Sequence, residues 1–470
     1  MSNLAIVLEN QGKYVEAGAM HIQTLQLRET VLGKNHPDTL ASMNNVAELL
    51  LLQGKYGEAK ALHEQTLQLR ETVLGKDHPD TLTSMNNLAI VLEKQGTFAA
   101  AKAMHQQTLQ LRETVLGKDH PDTLTSMNNL AIALEKQGTF AAAEAMHQQT
   151  LQLRETVLGK DHPDTLTSMN NVAESLRLHL QGRYAEAEAM HQQTLKLRET
   201  VLGRNHPDTL ASMNNVAELL RLQGKYAEAE AMHQQTLQRR ETVLGEDHPD
   251  MLVAESLRLQ GRYAEAEAMH QQTLKLRETV LGRNHPDTLA SMNNVAELLR
   301  LQGKYAEAEA MHQQTLQRRE TVLGKNHPDT LSSRNNVAEL LRLQGKYAEA
   351  GVIHRHTLQL METVLGKDHL LTLACMGNLA IALEDEGKYA EADAMHLQTL
   401  HLRETVLGKN HPDTLASMNN VAESLRLQGR YAEAEAMHQQ TLKLRETVLG
   451  RNHPDTLASM NNVAELLRLQ

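Results

Sequence analysis

The chain has 470 residues, 41% hydrophobic and 2% aromatic, with no Trp, one cysteine and a formal net charge of −11. The lone Cys375 excludes a disulfide framework or a Cys-based metal site and makes a reducing compartment the default, while an acidic balance spread evenly argues against nucleic acid, which needs a basic stripe. No apolar run approaches the ~20 residues of a membrane span, so the expectation is a cytoplasmic protein that engages neither membrane nor nucleic acid and needs no cofactor.

In chain order, the opening MSNLAIVLENQGKY matches MNNLAIVLEKQGTF further on. It reads as the middle of a repeating unit, not as a signal peptide. The closing NNVAELLRLQ likewise stops within a unit, so both ends are expected to be truncated mid-repeat in a longer protein. The unit itself runs from His78 to Asp119, and copies start at His120 and His162, a period of 42 residues. An HPD tripeptide, or its trace, begins at His36, His78, His120, His162, His206, His248, His285, His327, His369, His411 and His453. Self-similarity at a fixed period decides the architecture before any single residue does. The reading is one repeat array over 1–470.

Each unit predicts two helices. Pro79 suits the first turn of a helix, where a missing N–H costs nothing, and Asp80 suits its dipole. Leu82, Met85, Leu88, Ala89 and Leu92 then recur at three- and four-residue spacing. Gln95-Gly96 ends this leading helix. The trailing helix carries Phe98, Ala101, Met104, Leu109, Val115 and Leu116 and stops at Gly117. Short connections make the pair antiparallel, and no alternating strand pattern competes. The predicted fold is all-α, a right-handed α-solenoid of about eleven helix pairs.

Two spacings break the period. His162 to His206 is 44 residues, with the extra pair within 174–182. His248 to His285 is 37, because the SMNN region is deleted within 249–261; the leading helix there should be about 7.5 Å shorter at 1.5 Å per residue. The weakest interface of the array is expected at that point, since a repeat contacts only its neighbours. At Leu370 the usual His-Pro lapses. The aromatic that follows each Gly recurs eleven times, from Tyr14 to Tyr431, and accounts for every ring in the chain, so the rings are assigned to the turn between helices.

The fine pattern, Leu88-Ala89, Leu92, Gly96, Phe98 and Ala101 at fixed offsets, resembles the tetratricopeptide repeat, lengthened beyond its usual 34 residues. Propeller blades fail for want of strands and Trp; HEAT units fail on these offsets. LRETVLGKDHPDT with NNLA and GxY-x-EAE is similar to the long repeats of kinesin light chains. That resemblance implies a cytoskeleton-associated, cargo-binding array with a protein or peptide partner, kinesin heavy chain or cargo. Neither sustained heptads nor a phosphate-cradling Gly-rich loop lies in the chain. A repeat tail of a nucleotide-binding signalling protein and a purely architectural spacer stay open beside the scaffold reading.

The resemblance also singles out the second Asn of the NN pair: Asn45, Asn87, Asn129, Asn171, Asn215, Asn294, Asn336, Asn378, Asn420 and Asn462. Asparagine is a poor helix-interior residue. In tetratricopeptide proteins an Asn at this place lines the concave groove and bonds a bound peptide's backbone; the alternative is bonding between neighbouring helices. One turn on stand Glu218 with Arg221, Glu297 with Arg300 and Glu339 with Arg342, read as a groove floor of mixed charge or as solvated i,i+3 ion pairs. The second and third units carry instead Ile90 with Glu93 and Ile132 with Glu135.

His105 and its copies His63, His147, His191, His233, His270, His312, His396 and His438 sit 8–10 Å apart in stacked helices, too far to share one zinc, and are expected to be packed and neutral. The HPD tripeptide, known from co-chaperones, is expected to cap helices here. Thr108 is assigned a structural role and Cys375 has no organised base beside it, so neither points to nucleophilic catalysis. No enzymatic function is expected.

Overall fold

The computed structural model describes residues 4–5, 8, 14–178, 183–244 and 252–469. Among these residues there are 22 helices and no strand, in consecutive antiparallel pairs. A typical unit is the leading helix Pro79–Lys94 followed by the trailing helix Phe98–Val115. The all-α solenoid of about eleven units is what the period predicted.

The ends of the leading helix follow from the sequence. His78 is the N-cap, in extended conformation, and its Nδ1 accepts the Asp80 N–H at 3.1 Å. Histidine is an uncommon cap, but its ring nitrogen does the job usually given to a short side-chain oxygen. Thr81, fully buried, donates its hydroxyl to the Gly75 carbonyl at 2.8 Å and so fastens the inter-unit turn. At the other end Gly96 takes a φ of 72°, and Thr97 N–H reaches back to the Leu92 carbonyl at 2.9 Å, a glycine-dependent stop. Leu370 replaces the proline and the cap survives: His369 Nδ1 accepts the Leu371 N–H at 3.1 Å and the helix Leu370–Asp385 keeps 16 residues.

The core is made of neighbour contacts. Val295, Leu299 and Ala308 of one unit pack with Leu340 of the next, and Val421, Leu425 and Ala434 with Leu466. Stability therefore accrues unit by unit along the array. Residues 179–182 of the longer interval lie outside the described residues; the helix before them, Pro163–Leu178, has the usual 16 residues. In the shortened unit the described leading helix is Leu252–Leu259, eight residues against sixteen elsewhere. Residues 245–251, where this helix would begin, lie outside the described residues, so the expected shortening of 7.5 Å is not tested.

The coil also touches itself. His285 Nε2 lies 3.0 Å from the Leu52 carbonyl, His327 Nε2 2.9 Å from that of Lys94, and His369 Nε2 3.0 Å from that of Lys136, each 233 residues apart. Each histidine caps the start of a leading helix, and each carbonyl closes the end of one, six units earlier in the order of HPD copies. Phe98 stacks on His369, centroids 6.1 Å apart and planes within 6°. Burial first, then Asp287 and Asp329 of the following turn, push the Tyr56 hydroxyl up to about 12. Rings assigned to the helix turn thus also form the contact between successive turns.

Candidate functional site

Successive leading helices approach one another directly, as Pro37–Leu52 does Pro79–Lys94 and Pro328–Leu343 does Leu370–Asp385. A stack of hairpins closes up on the side where such helices meet, and the NN pairs lie along that line. Asn87 Nδ2 donates to Asn44 Oδ1 at 3.0 Å, Asn129 to Asn86 at 2.9 Å, Asn171 to Asn128 at 2.7 Å and Asn215 to Asn170 at 2.7 Å. Asn336 donates to Asn293 at 2.9 Å and Asn462 to Asn419 at 2.8 Å. The asparagines are a ladder, each rung spanning two units.

One rung uses one of an amide's two N–H groups and one carbonyl oxygen, so the half-buried donors Asn87, Asn129, Asn171, Asn215, Asn336 and Asn462 each keep a second N–H and a carbonyl. The remaining predicted asparagines show where the ladder changes. Asn420 faces the unit in which Gly377 replaces the first asparagine. Asn378 faces Asn335, whose Oδ1 lies 3.0 Å from His354 Nδ1. Asn294 follows the shortened unit, from which the pair is deleted. Asn45 begins the series, half-buried like the others.

Beside the ladder stand the predicted ion pairs. Arg221 Nε donates to Glu218 at 2.7 Å, Arg300 to Glu297 at 2.9 Å and Arg342 to Glu339 at 2.9 Å. They are half-buried, not fully solvated. The hydrogen bond to Glu218, with added attraction from Glu255 of the next unit, holds the Arg221 guanidinium above its usual range against the opposing effect of burial. Glu339 acts on Arg300 in the same way, and Arg342 gains Asp385 at 2.6 Å. Acid and base therefore alternate along the row, each arginine lying between the glutamate of its own unit and that of the next. Where Ile90 and Ile132 stand in place of the acid, Glu93 is bonded by Lys136 at 2.6 Å and lies 3.2 Å from His105.

Asn293, Glu297, Arg300, Asn336, Glu339 and Asn378 together line a cavity of about 240 Å³. Five of these six were singled out by the sequence; Asn293, the first of its pair, was not. Larger clefts of about 340, 400 and 470 Å³ include trailing-helix residues and hold glutamines in place of the asparagine ladder: Gln271, Gln234 with Gln238, and Gln106, Gln107 and Gln110.

The histidines of the trailing helices are packed, as expected. His63, His105, His191, His233 and His312 have no exposed surface. Burial lowers His63, His191, His312 and His354 to about 4, so they are neutral near pH 7. The described residues hold no cluster of three or more metal-ligating side chains.

Sequence reasoning missed a second repeated bond. Arg112 Nη1 donates to the Asp122 carbonyl at 2.8 Å and to Ser126 Oγ at 2.9 Å, tying each trailing helix to the next leading helix. The same bonds recur at Arg70, Arg154, Arg198, Arg319 and Arg445. The available signal was a paired substitution: one unit replaces the arginine with Met361 and, 14 residues on, the serine with Cys375. Both are buried in one apolar cluster.

A tetratricopeptide repeat model matches residues 1–72, 43–114, 86–156, 122–180, 175–242, 247–321, 290–351 and 329–405, and a second tetratricopeptide repeat model matches 414–455. No curated protein matches the chain. Among solved structures, the chain is similar to Podosopora anserina "putative kinesin light chain nearly identical TPR-like repeats", at 26% identity over 44% of this chain and 97% of that one, TM-score 0.38. It is also similar to BtubC (BKLC) from P. vanneervenii, at 18% identity over 50% of this chain and 94% of that one, TM-score 0.41.

Proposed function

Since the chain belongs to the tetratricopeptide repeat family, we propose that it is a non-enzymatic scaffold whose leading helices hold an extended segment of a partner protein. The observation that carries this is the cavity where ladder amides and the Glu297, Arg300 and Glu339 charges converge. Amides with spare donors and acceptors suit a peptide main chain, which presents both at every residue. The alternating charges suit side chains of either sign and supply register more than affinity. Any narrower role as a kinesin-light-chain-like cargo adaptor rests on the LRETVLGKDHPDT and NNLA motifs and predicts co-purification with kinesin heavy chain.

A second reading, an architectural coil, draws on the rungs themselves, since one donor of each is already used between units. A peptide-array screen followed by fluorescence anisotropy separates the two. Glu297→Gln with Glu339→Gln leaves the Asn336–Asn293 rung in place and should weaken any peptide hit about tenfold, roughly 1.4 kcal/mol, with unchanged helicity. If the array yields no binder, or the double variant binds every hit as wild type does, the groove reading is wrong and the architectural one stands.

A further inference from the structure

The leading helices of successive turns stand end to end. Leu52 closes Pro37–Leu52, and its carbonyl lies 3.0 Å from Nε2 of His285, the cap of Pro286–Leu301. Pro79–Lys94 meets Pro328–Leu343 in the same way through His327, and Pro121–Lys136 meets Leu370–Asp385 through His369. Nδ1 of each ring accepts the backbone N–H of its own cap. The neutral ring therefore carries its proton on Nε2 and donates it across the junction. Two places further on, a methyl group built on Gly224, just past Pro207–Leu222, would stand 3.2 Å from His453 and Pro454. The negative end of one helix faces the positive end of the next, which their dipoles favour.

These bonds run across the direction of the asparagine rungs. Asn87 ties the second leading helix to the first, and Asn336 ties the eighth to the seventh. His285 and His327 tie the seventh to the first and the eighth to the second. Four leading helices are thus fastened along every edge they share, and between these turns the face that carries the ladder has no side opening. The join is close: a methyl group built on Gly54 would stand 2.4 Å from the Pro286 ring, and one on Gly96 2.2 Å from that of Pro328.

The two directions of fastening differ in strength. Successive units share apolar clusters, such as Val295, Leu299 and Ala308 with Leu340. Among the described residues, successive turns meet through single side-chain bonds, the Phe98–His369 stack, and Leu449 against the cluster of Val172, Leu176 and Tyr184. The openings that occur most readily in a native protein are those that uncover few buried apolar contacts. The seam between turns therefore gives way before any hairpin does.

We propose that this seam is a gate on the inner face. Shut, it bars entry from the side; parted, with every hairpin intact, it admits an internal, extended segment of a partner protein to the ladder. The gate rests on the reading of the ladder as the binding face. It adds a selectivity that the groove alone lacks, because a segment flanked by folded domains cannot be laid along the ladder while the turns are joined. Affinity for such a segment scales with the fraction of coils whose seam is open.

Thiol labelling tests the gate without a ligand. Ile90→Cys puts a half-buried reporter one helical turn before Lys94, at the place that Glu297 takes in the cavity. Gln314→Cys puts another on the exposed face of the trailing helix Tyr305–Val322, and the native Cys375 is buried. N-ethylmaleimide is the small reagent, and a maleimide borne on a cyclodextrin ring is the bulky one. With the seam intact, the bulky reagent should label Ile90→Cys far more slowly than Gln314→Cys. His285→Asn with His327→Asn and His369→Asn keeps a capping oxygen but loses the reach across the seam. Gly54→Asn with Gly96→Asn wedges a side chain against Pro286 and Pro328, in a left-handed conformation that asparagine tolerates. Either set should speed bulky labelling of Ile90→Cys about tenfold as the open fraction grows. Helicity, small-reagent labelling and the outer site should not change. If one set unfolds the coil, the other decides. Equal bulky labelling of the two sites in the intact coil, or no gain in a folded seam variant, overturns the gate. A failed peptide screen removes the groove reading instead, with these rates unchanged.

Discussion

At the scale of single residues, the array relies on polar groups that burial makes unforgiving. Burial holds His63, His191, His312 and His354 at about 4, below the ordinary 6.5 of the unfolded chain. The unfolded state therefore takes up protons first as pH falls. Full stability is expected above about pH 6.5 and progressive loss down to about pH 4, each histidine contributing on the order of 3 kcal/mol across that window. Urea midpoints followed by circular dichroism should fall over this range, and His191→Phe with His312→Phe should flatten the slope.

The buried arginines make a second expectation. Arg319 Nη1 donates to Ser333 Oγ at 2.8 Å and to the Asp329 carbonyl at 2.9 Å. Arg319→Met alone orphans those acceptors and should cost about 2 kcal/mol; adding Ser333→Cys, the pair present at Met361 and Cys375, should recover part of it. A double-mutant cycle in urea reads this directly, and strict additivity would contradict the coupling. These arginines went unnoticed in the sequence because perfect repetition removes contrast: in most units every position recurs, whatever its job. The asparagines stood out only because their type conflicts with mid-helix placement. Even then the sequence did not say that they bond one another.

At the scale of the helix, the shortened unit is the exception. The shortened unit, whose described leading helix is Leu252–Leu259, lacks the NN pair, so it presents less surface to its neighbours and supplies no asparagine between Asn214-Asn215 and Asn293-Asn294. Hydrogen exchange should be fastest in this helix among the leading helices of the interior units. Inserting Ala-Ser-Met-Asn-Asn between Leu252 and Val253 restores the 42-residue unit and should slow that exchange and raise the melting temperature. Slower exchange elsewhere with no change at Leu252–Leu259 would refute the assignment of weakness. Helix existence, ends and caps were legible in the sequence because His-Pro-Asp and Gln-Gly signal locally. Leu370 shows the limit of such signals, since the cap survives without its proline.

At the scale of the whole molecule, the period predicted hairpins in series but not their pitch. Pitch is a small rotation per hairpin summed over six units, and no local pattern encodes that sum. The turn-to-turn bonds depend on it. His327→Asn with His369→Asn removes the ring nitrogens that reach Lys94 and Lys136 while leaving a capping oxygen. The coil should loosen: small-angle scattering would show a larger radius of gyration at constant helicity. An unchanged radius would mean that stacking of hairpins alone sets the pitch.

Because the units are so alike, the turn-to-turn bond is blind to which copy supplies it. Excising one complete 42-residue unit, such as 120–161, would hand His327 the Leu52 carbonyl and His369 the Lys94 carbonyl at the same six-unit remove, with the same atoms meeting. Growth or shrinkage of the gene by whole units therefore changes the reach of the protein but not the way it is fastened.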